Sequence, residues 1–271
     1  AEPWLRQLRG YAETYESFHH FESGTPEHRF FAAVDALDVV LVMPVALELF
    51  TRFGKQPELL RPVLRNIESF LIRRTVCGLN TRGYNRFFID LLGEIREADT
   101  LADDIRNHLL KSKAESTRWP DDEEFRSAWL HTSIYKTLVR KRVKFLLECL
   151  EAGLHTAKTE TIVGNLNIEH LLPQNWVQHW PLPGEKPVEE ETTDRNLHLH
   201  TIGNLTLLTV ALNPAVSNGA WEKKCSEILK HSALCLNREF DAANAWDEKS
   251  IKHRANELFK TARKIWPYPQ S

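Results

Sequence analysis

Across residues 1–153 the apolar positions return every three or four residues, and runs that alternate β-branched with polar residues are few. That is the period of an amphipathic helix, so this stretch can only close a core by packing helix on helix. The spacing predicts helices near Trp4–His20, Pro26–Phe53, Pro57–Cys77, Arg82–Ser112, Asp121–Ser133 and Thr137–Ala152. Breaks fall at Gly54, at Gly78 with Asn80, and at Trp119–Pro120. Pro44 lies inside the second helical run and predicts a kink or a division there, because its ring removes one N–H and crowds the carbonyl four residues back. The carboxylates of Asp121, Asp122, Glu123 and Glu124 suit the first turn of the fifth helix, where the helix dipole favours negative charge. The Trp residues of this half are read as core anchors.

The pattern changes after Gly153. His155 to Gly164 is polar and Thr-rich, and Leu166-Asn167-Ile168 opens a short strand-like segment. From Trp180 to Leu197 the chain is rich in Pro, Glu and Thr and reads as a long acidic loop. His198 to Leu208 has the alternating, β-branched character of a second strand, the helical period returns from Ser217, and Asp247 to Trp266 forms a last amphipathic helix stopped by Pro267. With 271 residues the chain suits two domains of about 100–200 residues each. We therefore place an all-helical domain at 1–153 and a small α+β domain, packed with C-terminal helices, at 154–271.

Composition excludes several classes. A hydrophobic content of 42% with 27% charged residues describes a globular chain. The greasiest stretch, Phe30 to Phe50, is interrupted by Asp35, Asp38 and Glu48 and reads as a buried helix, since a membrane span needs roughly 18 or more apolar residues. Without a secretory signal pattern, the expected location is the cytoplasm. Cys77, Cys149, Cys225 and Cys235 form no CxxC pair and are read as buried thiols. A net charge of −2 argues against a uniformly basic surface, so any contact with nucleic acid must use local clusters. The candidates are Arg73 with Arg74, the run Arg140, Lys141, Arg142 and Lys144, and the last helix with Lys252, Arg254, Lys260, Arg263 and Lys264. Each also reads as a solvated helix face.

Four polar residues in the second half stand where chemistry is possible. Glu169 and His170 are adjacent on the first strand-like segment, Asn204 lies on or after the second, and Asn213 lies beyond it. Hydrolysis of a phosphodiester around one metal ion needs a base for water, a hard cation for the leaving oxygen, and oxygen donors to hold the cation. Histidine is the natural base near neutral pH, while Glu and Asn oxygens suit Mg²⁺ or Mn²⁺. Strand neighbours face opposite sides, so the segment must end or bend at Glu169-His170. The His170 ring also needs an acceptor for one nitrogen if the other is to take a proton, and a backbone carbonyl or the Asn204 side chain is expected to supply it.

The strings Ile168-Glu169-His170-Leu171-Leu172-Pro173-Gln174 and Ile202-Gly203-Asn204-Leu205-Thr206-Leu207-Leu208, followed by Asn213, Ser217-Asn218, Trp221 and Lys224, resemble the nuclease domain of GmrSD-type modification-dependent restriction endonucleases, of the HNH or His-Me finger superfamily. The helical half and the closing Trp246 to Pro267 pattern are similar to the regions that flank that domain. Phosphorothioate-sensing SspE-like proteins are close relatives of the same kind. The resemblance implies a ββα-metal fold in which His170 is the base, Glu169 and Asn213 bind the ion, and Asn204 braces the loop and orients His170. It also implies Asn218 as an alternative metal ligand and Lys224 with Lys223 as contacts to DNA phosphates. The interval of nine residues between Asn204 and Asn213 matches the spacing common in that superfamily. Two positions depart from its usual form: Glu stands for Asp before the His, and Asn for the final His. Both still offer oxygen, which favours Mg²⁺ or Mn²⁺ over zinc.

The implied function is metal-dependent cleavage or nicking of DNA as the effector of an anti-phage restriction system. It would work with an N-terminal nucleotide-hydrolysing domain or partner subunit, whose DGQQR-like motif is absent from this chain. A catalytically inactive DNA- or protein-binding module, or an RNase using the same site, are the competing classes. His179, His198 and His200 flank the motif and could meet DNA or a second metal, although loop histidines are more often simply solvated.

Overall fold

The computed structural model describes residues 2–156, 165–210, 219–242 and 245–269. It is mainly helical with one two-stranded antiparallel sheet among the described residues. By contact the chain divides into two compact units, Ala1–Asp122 with Trp266–Ser271, and Glu123–Ile265. No helix among the described residues is long and apolar enough to cross a membrane.

The first unit holds α1 (Glu2–Ser17), α2 (Pro26–Leu37), α3 (Met43–Phe53), α4 (Pro57–Val76), α5 (Tyr84–Leu92) and α6 (Leu101–Lys111). Its centre is α4, which packs against α2 and α6 and buries Leu60, Val63, Leu64, Ile67, Phe70 and Leu71. The run expected as one helix over Pro26–Phe53 is divided: α2 ends at Asp38, whose φ of 57° is left-handed, and Pro44 sits in the first turn of α3, where its missing N–H costs nothing. The run expected over Arg82–Ser112 is likewise two helices, parted after Gly93. Arg73 and Arg74, named above as a possible basic patch, are fully buried. Arg74 donates all five of its N–H groups, to the Tyr84 hydroxyl and to the carbonyls of Asn80, Glu115, Ser116 and Arg118. Arg73 donates to Trp266 O, Pro120 O and Asp122. These arginines are internal tethers for loops. Trp119 is a buried anchor as expected, whereas Trp4 is 72% exposed.

The second unit runs from α7 (Asp122–His131) through α8 (Ile134–Thr137), α9 (Arg140–Leu154), β1 (Leu166–His170), α10 (Val188–His198), a 3-10 turn at Ile202–Asn204, β2 (Leu205–Thr209), α11 (Trp221–His231) and a 3-10 segment at Cys235–Ala242 to α12 (Glu248–Ile265). The division between units falls after the first residue of α7, ahead of the boundary drawn at Gly153, and within the second unit α9 packs on β1, β2 and α12. Leu171, Leu172, Leu199, Leu208, Trp221, Ile228, Phe240, Trp246 and Ile251 form a core around the hairpin.

The acidic loop expected over Trp180–Leu197 contains α10 instead. Pro187 stands at its N-cap and Glu189, Glu190 and Glu191 fill its first turn. The Glu191 carboxylate turns back to accept from the backbone N–H groups of Gly184, Glu185 and Lys186 at 2.8–3.0 Å, which closes the preceding turn. Arg195 in the last turn then reaches Trp180 O and Glu248. Composition concealed a helix whose stability comes from caps and one buried arginine.

Candidate active site

β1 and β2 pair antiparallel with Glu169 opposite Thr206 and His170 opposite Leu205. The ladder carries one step further, where Leu171 N–H donates to Asn204 O at 2.9 Å, and β1 then ends. The bend expected at Glu169-His170 is absent: pairing runs unbroken through both residues, so as strand neighbours they leave opposite faces and their side chains do not converge. Glu169 meets α11, and His170 meets the turn before β2 and α8.

His170 is 5% exposed. Its Nε2 lies 3.2 Å from Nδ1 of His200, which is equally buried. The Tyr135 ring stands edge-on to His170 with centroids 4.3 Å apart, and nearly parallel to His200 at 5.9 Å. Tyr135 N–H donates to His200 O at 3.1 Å, and the Arg140 guanidinium lies over the Tyr135 ring and donates to its carbonyl. Burial pushes the His170 imidazole down to about 3, with the charges of His200, Lys224 and Arg140 acting in the same direction. His200 is lowered too, by burial and then by Lys136 and Arg140. Burial thus favours the uncharged form of both rings.

Asn204 is wholly buried and its hydrogen-bonding capacity is full. Its Oδ1 accepts from Leu172 N–H at 2.8 Å and Trp246 Nε1–H at 3.1 Å, and its Nδ2 donates to Leu172 O and Leu199 O, both at 2.9 Å. Asn204 thus locks the chain leaving β1 to the chain entering β2, but it does not touch the His170 ring. The turn that carries it is held close to α12: a Cβ on Gly203 would overlap the Ile251 carbonyl oxygen. Arg254, fully buried on α12, donates to Gly203 O at 3.1 Å and Leu205 O at 2.6 Å. This arginine, too, is internal rather than part of a basic surface.

Glu169 accepts from Lys224 Nζ at 2.6 Å, and the same ammonium donates to His170 O at 2.5 Å. Lys224 was expected to meet a phosphate; it is fully buried, because its position on α11 faces β1. Burial raises the Glu169 carboxyl and lowers the Lys224 ammonium, and their mutual attraction opposes both shifts. Lys223, one residue earlier, is exposed. Asn213 and Asn218, expected as metal ligands, lie outside the described residues. His179 is exposed, and His198 Nδ1 bonds to Asp194 O within α10 at 2.7 Å.

As to metal, a carboxylate such as Glu169 is a hard oxygen donor and fits Mg²⁺ or Mn²⁺. A second set of donor atoms, from Glu151, His155 and Cys235, lies within 4.8 Å of one another. The Glu151 oxygens there already accept from Cys235 N–H and Leu236 N–H at 2.8 Å and pair with His155 at 3.0 Å, which is the work of a cap for the 3-10 segment. In the sequence His200 stands only as a flank to the motif, Trp246 only as the start of the closing pattern, and Tyr135 carries no signal of its own. The single available signal was the position of His200, four residues before Asn204 in one continuous string.

A family model described as GmrSD restriction endonucleases, C-terminal domain, matches residues 119–261, more than half of the chain, and spans all the residues of the site just built. The match defines the class, a nuclease of the restriction-endonuclease type. The chain belongs to the GmrSD restriction endonuclease C-terminal-domain family. A search among curated proteins finds no match.

Proposed function

We propose that the chain is a metal-dependent DNA endonuclease of the HNH type, the cutting arm of a modification-dependent, anti-phage restriction system that acts in the cytoplasm. The observation that carries the reading is a buried histidine at the end of β1, on a hairpin whose mouth is locked by an asparagine with no bonding capacity to spare. A base must be unprotonated and must not wander, and burial of His170 serves both needs; the same burial also weakens the ring as a proton acceptor, since a general base works best with a pKa near the working pH. Such a pairing of strands with α11 alongside fits a ββα-metal nuclease.

In this reading His170 takes the proton of the attacking water, and Asn204 holds the backbone on which His170 is carried. Glu169, with Asn213 and Asn218, would hold Mg²⁺ or Mn²⁺, which when bound supplies charge stabilisation for the departing 3′ oxygen. Lys224 fixes the Glu169 carboxylate and the His170 carbonyl together, and Lys223 is left to meet a phosphate. Recognition of the DNA modification belongs to a nucleotide-hydrolysing domain or partner subunit.

Nicking of supercoiled plasmid with Mg²⁺ or Mn²⁺ tests the reading. His170→Ala is expected to lower the rate by about 10²–10⁴-fold, the usual contribution of a general base, and chelation to abolish it. Equal rates in both proteins would remove His170 as base. Binding of DNA without cleavage by the wild-type chain would favour a binding module, and faster cleavage of RNA than of DNA under one condition would favour an RNase.

A further inference from the structure

We infer that His200 is the positioning residue of His170: it accepts the Nε2–H of His170 on its own Nδ1 and so leaves the His170 Nδ1 as the nitrogen that takes a proton. The inference rests on the reading of His170 as base and assigns the partner that reading requires.

Asn204 cannot orient the ring, because two acceptor contacts on Oδ1 and two donor contacts on Nδ2 exhaust its amide. Lys224 reaches the His170 carbonyl and leaves the ring alone. Among the described residues the hydrogen-bond partner of the ring is His200, at 3.2 Å. Two imidazoles at that distance share one hydrogen, so the tautomer of one ring dictates that of the other. In one arrangement His170 carries its proton on Nε2 and keeps a lone pair on Nδ1. In the other it carries its proton on Nδ1 and has no basic nitrogen left for water. Only the first serves a general base.

The surroundings hold the pair in place. Tyr135 touches both rings, perpendicular to one and parallel to the other, and its backbone N–H fixes the His200 carbonyl. The two imidazole planes are consequently crossed at 90°. His200 stands four residues ahead of Asn204 on the same turn, so the asparagine that locks the hairpin mouth also fixes where His200 sits, through the Leu199 carbonyl.

The test uses the full chain labelled with ¹⁵N-histidine, with the His170 signals assigned by their loss in His170→Ala. Long-range ¹H–¹⁵N correlation reads the tautomer directly, and His170 is expected as the Nε2–H form. His200→Phe keeps a ring beside Tyr135 but removes the acceptor. It should turn His170 into a mixture of tautomers and lower kcat for plasmid nicking by about 10–100-fold, with KM and the melting temperature little changed. His200→Asn, whose side-chain oxygen replaces Nδ1 as acceptor, should restore the Nε2–H form and most of kcat. An Nδ1–H form of His170 in the wild-type chain, or a tautomer unmoved in His200→Phe, overturns the inference. If His170→Ala nicks as well as wild type, the base assignment falls, while the tautomer measurement still decides whether His200 sets the state of His170.

Discussion

Arg74 in the first unit and Lys224 in the second are both fully buried cations, and they are held in different ways. Arg74 is surrounded by dipoles: four main-chain carbonyls and one hydroxyl take its five N–H groups, and no carboxylate is among them. Lys224 is set against an anion, Glu169, and shares itself with the carbonyl of His170. The first arrangement ties the loops at Asn80 and Glu115–Arg118 to α4 and offers nothing to a ligand. The second holds in place a carboxylate whose neighbour is the candidate base. Of these two buried cations, Arg74 is scaffold, and Lys224 stands beside the candidate base.

The comparison breaks first at Arg74. Arg74→Met leaves five oxygens without their donor, and an unsatisfied buried polar group costs about 1–3 kcal/mol, so even with water entering, a total loss of about 3–5 kcal/mol is expected. Urea unfolding followed by circular dichroism measures it. A loss under about 1 kcal/mol would mean that the loops are held by other means.

At Lys224 the expected loss is smaller. Lys224→Met strands the Glu169 carboxylate, but that side chain retains 12% exposure, so water relieves part of the penalty and about 2–3 kcal/mol is expected. Adding Glu169→Gln removes the stranded charge, and the double variant should regain at least about 1 kcal/mol relative to Lys224→Met alone. Additive losses would show that the two groups are not coupled. Gly203→Ala comes next, at about 1–2 kcal/mol, because the new methyl must push α12 away at the Ile251 carbonyl. The same displacement should slow nicking in the fraction that stays folded, since Asn204 follows Gly203 directly, and nicking per folded molecule checks it.

Sequence was a good guide wherever a local rule decides the outcome. Helical period placed most of the helices, Pro44 marked a division, and the string around His170 marked β1; the second strand, expected over His198–Leu208, is shorter, because His198 ends α10 and Ile202–Asn204 is a 3-10 turn that leads into β2. It was a poor guide wherever a side chain's role depends on what packs over it. Arg73, Arg74 and Arg254 read as surface charge, yet the carbonyls that solvate them come from residues 6–193 positions away. The helix α10 was hidden because Pro, Glu and Thr favour loops in general, whereas here Pro187 and Glu191 sit at the positions where they cap. His200 read as a flank more often solvated than functional because its partner lies 30 residues earlier, and no period along a single strand or helix records that meeting.

Lys223 gives the mildest effect and sharpens the contrast within one turn of α11. Its neighbour Lys224 points inward to Glu169, while Lys223 is exposed on the same helix. A solvated lysine that meets a phosphate contributes through release of counterions, and that contribution fades with salt. Lys223→Ala should therefore weaken DNA binding by less than about tenfold at moderate salt and reduce the slope of log affinity against log salt by about 1, uniformly across sequences. Fluorescence anisotropy over a salt series measures both. An unchanged slope would mean that no phosphate is met at this face of α11, and the DNA path would then have to be drawn over another of the exposed basic runs.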